Sequence, residues 1–95
     1  MVIEISTSVK QSADQVSCNL DDEVVILSLV SSLYFGLDEV AACIWDAMRE
    51  SAKPGEICQK VMDRFDVDEE QCLADVLGFL EKLANANLIQ AHHEK

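Results

Sequence analysis

The change of hydrophobic period at Asp38 constrains this chain more than any other feature of it. Ahead of that residue, Ser32-Leu33-Tyr34-Phe35-Gly36-Leu37 is rich in β-formers. Behind it, Val40, Ala41, Ile44, Trp45 and Met48 recur at helical spacing. Asp38 is of a residue type that N-caps helices, and Glu39 suits the positive end of a first turn. A short aromatic strand therefore runs into a helix with almost no loop. A strand tied so tightly to a helix leaves one edge of its sheet open, and an open edge is a place where another peptide can add as a strand.

The segments on either side complete the pattern. Val2-Ile3-Glu4-Ile5 alternates and reads as a first short strand, and the polar run from Ser6 to Gln15 reads as a loop. Val16-Ser17-Cys18-Asn19-Leu20 alternates again, and Asp21-Asp22 is a turn signal. Glu23 to Val30 is the strongest strand, apolar enough to be central in its sheet and covered on both faces. Ser31-Ser32 turns it back, antiparallel, into Leu33 to Leu37. The first helix is expected to reach about Glu50, where Ser51-Ala52-Lys53-Pro54-Gly55 breaks it. A second helix covers roughly Glu56 to Arg64. A third starts at Asp68, its N-cap, carries Leu73, Val76, Leu77, Leu80 and Leu83, and stops near Asn85 to Asn87. The tail from Gln90 to Lys95 is expected to fray. The fold class is α+β: a small three-stranded antiparallel sheet followed by a three-helix bundle, winged-helix-like, in one domain over 1–95.

Composition narrows the function. With 95 residues, 49% of them hydrophobic, the chain can bury a core without metal or disulfide support. The formal net charge of -11, from 18 acidic and 7 basic residues, repels phosphate backbones and anionic membranes. No apolar run approaches a membrane span, and Glu4 interrupts the start of any signal peptide, so the expected location is cytoplasmic. Cys18, Cys43, Cys58 and Cys72 are scattered among apolar residues, as free cysteines that pack as small hydrophobes. Their spacing does not suit zinc, and the histidines, His92 and His93, lie in the tail.

Nothing in the chain reads as catalytic. There is no G-x-S-x-G, no glycine-rich phosphate loop and no H-E-x-x-H. The carboxylates gather at turns and helix starts, where capping and solvation explain them. No catalytic residue, metal or cofactor is assigned. Interaction features are better supported. Alternation separates Leu33, Phe35 and Leu37 from Tyr34 and Gly36, and the third helix carries Cys72 and Phe79 beyond what one apolar stripe needs. Trp45 reads as a core anchor.

The series Tyr34-Phe35-Gly36-Leu37-Asp38-Glu39-Val40-Ala41 with Ile44-Trp45 resembles the PqqD family. Asp22 to Leu27 resembles its central strand, Phe65-Asp66-Val67-Asp68 the connection between its second and third helices, Asp75 to Leu83 its third helix, and Asn87-Leu88-Ile89 its terminal Gly-Leu-Ile. The likeness spans about residues 16–90. Asp38 stands for the usual Asn, Asn87 for Gly, Ala41 for a Gly or other small residue, and Lys53-Pro54-Gly55 for a Thr-led helix start.

The resemblance implies three strands and three helices. It implies a peptide chaperone, or recognition element, for ribosomally made and post-translationally modified peptides. Such a domain takes up the leader segment of a precursor peptide by β-strand addition and presents it to a modifying enzyme. That enzyme is a radical S-adenosylmethionine protein in pyrroloquinoline quinone biosynthesis, and a leader protease or cyclase in lasso-peptide pathways. The implied peptide-binding wall is Ser32, Leu33, Tyr34, Phe35 and Gly36 with Cys72, Asp75, Val76 and Phe79. The alternatives are a winged-helix-like DNA-binding domain, which the acidic charge and the lack of a Lys/Arg stripe oppose, and a regulatory protein-interaction domain. Self-association into a homodimer through the edge strand is a further expectation.

Overall fold

The structure, a computed structural model, describes residues 3–20 and 23–93. Three strands form one antiparallel sheet in the order β2-β3-β4: β2 (Gln15–Leu20), β3 (Glu23–Ser28) and β4 (Tyr34–Leu37). Three helices follow, α1 (Glu39–Asp46), α2 (Pro54–Arg64) and α3 (Glu69–Asn85). The remaining two strands, β1 (Thr7–Gln11) and β5 (Ile89–His93), make a separate antiparallel ribbon. The three-stranded sheet and three helices are those expected, and β3 is central. The turn at Asp21-Asp22 lies outside the described residues.

β3 is covered on one face only. Val24, Ile26 and Ser28 turn inward with Phe35 and Leu37, whereas Leu27 and Tyr34 face out. The strand ends at Ser28, so Leu29 and Val30 belong to the hairpin loop and are exposed. The expectation of burial on both faces was too broad because the helices pack against one side. Ser28 donates its N–H to Leu33 and accepts from the N–H of Ser32, at 2.8 and 2.9 Å. Ser32 closes the loop in the left-handed region, with φ 61°.

The N-terminal segment departs most from expectation. No strand forms at residues 3–5, and residue 2 lies outside the described residues. Instead a turn closes with Thr7 N–H on the Glu4 carbonyl at 3.0 Å and Glu4 N–H on Thr7 Oγ1 at 2.9 Å. The expected loop after it is β1, and most of the expected frayed tail is β5; residues 94 and 95 lie outside the described residues. β1 has one large apolar side chain, Val9, so it carries little period-two signal. Backbone pairing makes the strand: β5 takes one edge, and Val9 exchanges hydrogen bonds of 2.8 and 2.9 Å with Ala52 on the other.

β1 also explains why α1 stops at Asp46, short of Glu50. The side-chain amide of Gln11 donates to the Trp45 carbonyl at 2.8 Å, and its backbone N–H to that of Met48 at 2.9 Å. Those carbonyls would otherwise accept from the next helical turn. Beneath them lies one core, with Ile26, Met48, Ile57, Val61, Val76, Leu80 and Leu88 almost fully buried and Trp45 among them as expected.

α3 ends as its sequence predicts. Asn87 adopts the left-handed conformation, φ 61°. Its N–H reaches the Ala84 carbonyl at 3.1 Å, and the N–H of Leu88 reaches that of Leu83 at 2.9 Å. This pair of bonds is a Schellman motif. Asn and Gly visit that conformation cheaply, whereas other L-residues pay about 1–2 kcal/mol. Asn87→Ala is therefore expected to lower unfolding free energy by about 1 kcal/mol, and Asn87→Gly to leave it unchanged or higher. Urea denaturation of the two variants beside the parent checks this.

Candidate functional site

β4 is short because Asp38 ends it. The Asp38 carboxylate accepts the N–H of Ala41 at 2.8 Å, and its carbonyl accepts that of Ala42 at 2.8 Å, so α1 begins one residue after the strand. Among the described residues β4 therefore pairs with β3 alone, and its other edge is open. In an antiparallel pair, alternate residues exchange both hydrogen bonds. The Ser28–Leu33 bond sets the phase: with the observed register, Phe35 and Leu37 bond to β3. The N–H and C=O groups of Tyr34 and Gly36 are left pointing away from the sheet.

α3 stands beside that edge. Phe79, Lys82 and Leu83 occupy one face of it, at spacings of three and four. With Tyr34, Phe35, Gly36 and Leu37 they line a groove of about 510 Å³. That volume lies within the range of ligand-binding clefts. The groove has an apolar floor from Phe35, Leu37 and Leu83, and unused backbone donors and acceptors along one wall. Such an arrangement suits an extended peptide, which satisfies the edge with its backbone and the floor with alternate side chains.

The residues expected at this wall divide into two groups. Tyr34, Phe35, Gly36 and Phe79 come together in the groove. Ser32 and Leu33 are exposed at the hairpin leading into it, Leu33 with its carbonyl already bound to β3. Asp75 is exposed one turn before Phe79, where Gln71 Nε2 donates to its carboxylate at 3.0 Å. Cys72 and Val76 are in the core, 4% and 1% exposed. They belong, with Leu80, to the stripe by which α3 packs inward, and neither lines the groove. Leu37, Lys82 and Leu83 complete the groove and were not expected there. The helical offset of Lys82 and Leu83 from Phe79 was the available signal.

The buried thiols are structural. Cys72 Sγ lies 4.0 Å from the Cys58 carbonyl. Burial, then the adjacent Cys72 and the nearby Glu69, push the Cys58 thiol up from about 9 to about 11. Cys58 thus stays protonated and unreactive at neutral pH. Among the described residues no group of three or more His, Cys, Asp or Glu side chains is arranged to hold a metal ion. Nor is any described helix long and apolar enough to cross a membrane.

Comparison with known proteins gives consistent matches. Residues 23–89 match the family described as Coenzyme PQQ synthesis protein D (PqqD). The chain is similar to TbiB1, solved in complex with the TbiA(beta) leader peptide, at 38% identity and a TM-score of 0.80, covering 90% of this chain and 99% of that one. A lasso peptide synthetase B1 complexed with a leader peptide shares the fold, at 17% identity and a TM-score of 0.76, over 86% of this chain and 96% of that one. No curated protein sequence is significantly similar to the chain.

The Cys58 thiol has a consequence for pH. The folded state disfavours its thiolate, while the unfolded chain ionises at the ordinary value, so the unfolded state binds fewer protons between the two. Stability is then full below about pH 9 and declines as pH rises toward about 11. Cys58→Ala, less stable at pH 8, is expected to show a shallower decline. Urea midpoints of both proteins across this window measure the difference.

Proposed function

The chain belongs to the PqqD family, and on that premise we propose that it binds the leader segment of a ribosomally made precursor peptide as a strand added to β4. The peptide lies between β4 and α3 and is presented to a modifying enzyme, either a radical S-adenosylmethionine protein or a leader protease or cyclase. The domain holds its ligand and performs no chemistry on it. One observation carries this reading: an unpaired strand edge and an apolar helix wall meet in one groove. TbiB1, 38% identical over most of both chains, is solved with a leader peptide, which supports the same class of ligand here. A nucleic-acid ligand is disfavoured by the charge, since α3 exposes Glu69, Glu70 and Asp75 and the whole chain carries -11.

The edge hydrogen bonds and the apolar wall can be removed separately. Gly36→Pro deletes an N–H that points away from β3, so the β3-β4 pairing survives, as proline is tolerated on sheet edges. Phe79→Ala removes an aromatic group worth about 1.5–3 kcal/mol when fully covered. Each variant is expected to keep its circular dichroism spectrum and to lose affinity by about tenfold or more. The probe for this test is the TbiA(beta) leader peptide. In the parent, amide shifts should concentrate on residues 33–37 and on α3 around Phe79. Shifts that avoid both elements would reject the proposal.

A further inference from the structure

We infer that Lys82 makes the groove selective for a leader segment that carries a carboxylate beside its apolar anchor. This inference rests on the strand-addition reading and extends it to the sequence of the ligand.

The groove is lined by seven residues, and Lys82 is the one with a charged side chain. Among the described residues no acidic side chain lines it, although the chain holds 18 acidic and 7 basic residues. The groove therefore reverses the charge of the molecule around it. Among the described residues Lys82 forms no ion pair. Arg49 pairs with Asp46 at 2.9 Å, and Arg64 lies over the Phe65 ring at 5.4 Å. On α3 the neighbours of Lys82 three and four residues away are Gly78, Phe79, Asn85 and Ala86, none of them acidic. The next carboxylate along that face is Asp75, two turns back and held by Gln71.

An exposed ammonium next to apolar side chains keeps its stem on the apolar surface and its head in water. Here the exposed Lys82 shares the groove lining with Phe79 and Leu83 of α3 and with residues 34–37 of β4, so a strand added to β4 would pass beside it. A strand added to β4 sends successive side chains to opposite faces, so one residue fills the floor while a near neighbour reaches the rim. Asp or Glu at the rim position meets Lys82; Lys or Arg there meets a like charge. A cation in the last turn of α3 also complements the helix dipole. That role alone would leave ligand selectivity untouched when the cation is removed.

Fluorescence anisotropy with the TbiA(beta) leader peptide as the parent probe separates these roles. Each position of the segment found against β4 is replaced in turn by Glu, Gln and Lys. Wild-type protein is expected to prefer Glu over Lys by about fivefold at one or two positions, the upper range for an exposed ion pair. The preference should shrink as salt rises. It should persist in Lys82→Arg, fall below about twofold in Lys82→Gln and reverse in Lys82→Glu. An equal Glu/Lys ratio in wild type and Lys82→Gln, with amide shifts still on β4, overturns the role of Lys82 alone. Absence of binding at β4 overturns the strand-addition reading and this inference with it.

Discussion

The hydrogen bond that the Ala41 N–H donates to the Asp38 carboxylate fixes where the sheet gives way to the helices. It makes one residue both the end of β4 and the cap of α1. The chain has no slack with which to extend β4 or to add another strand beside it. α1 instead passes over the inner face of the sheet and buries Ile44 and Trp45. What remains outside is a four-residue edge with only Tyr34 and Gly36 directed away from β3. Edges this short are poor templates for indiscriminate pairing, because few hydrogen bonds are on offer. Discrimination must then come from whatever stands next to the edge, and α3 occupies that place.

α3 is fixed there from its C-terminal end. The Schellman motif at Asn87 turns Leu88 into the core and delivers Ile89 into β5, which pairs with β1. Ser12 N–H closes the loop onto the Leu88 carbonyl at 2.8 Å. A second tie crosses directly from sheet to helix cap, where the buried Ser28 hydroxyl lies 3.4 Å from the Ala86 carbonyl. Ser28 belongs to β3, the neighbour of β4, so both walls of the groove are referred to one rigid strand. A groove held from both sides does not have to be assembled when a ligand arrives, and less ordering cost is charged against affinity.

Elements that advertise themselves by pattern were legible, and elements made by backbone pairing were not. The period change at Asp38 and the Asn at the end of α3 each carry a local physical signal and were found where expected, and the apolar run of β3 marked the central strand, though it ends at Ser28 and is covered on one face. β1 and β5 have no such signal. Thr7-Ser8-Val9-Lys10-Gln11 becomes a strand because Ala52 and β5 supply partners 40 or more residues away in sequence. The same division runs through the site. Tyr34, Phe35, Gly36 and Phe79 follow from strand and helix periodicity. Cys72 and Val76 were misplaced because spacing fixes which residues of α3 share a face, but not which way that face is turned. Lys82 went unnoticed because a lysine in a last helical turn has an ordinary electrostatic explanation.

A three-stranded sheet has two edges, and the difference between them bears on why β4 would be the one used. β2 is longer and, by the same alternation, directs the backbone groups of Gln15, Ser17 and Asn19 outward. It therefore offers more hydrogen bonds than β4 does. Yet its Asn19 end opens on a cleft of about 300 Å³ whose charged lining is Glu23, Glu39 and Asp46 with Arg49 and Arg64. A peptide strand added there would gain backbone bonds but bury little apolar surface, and each backbone bond gained from water is worth only about 1 kcal/mol. At β4 fewer bonds are available, but the exposed Tyr34 and the half-buried Phe35 and Phe79 provide apolar surface worth about 25 cal/mol per Å² covered. Burial rather than hydrogen-bond count separates the two edges, and it does so only where a helix has been brought alongside.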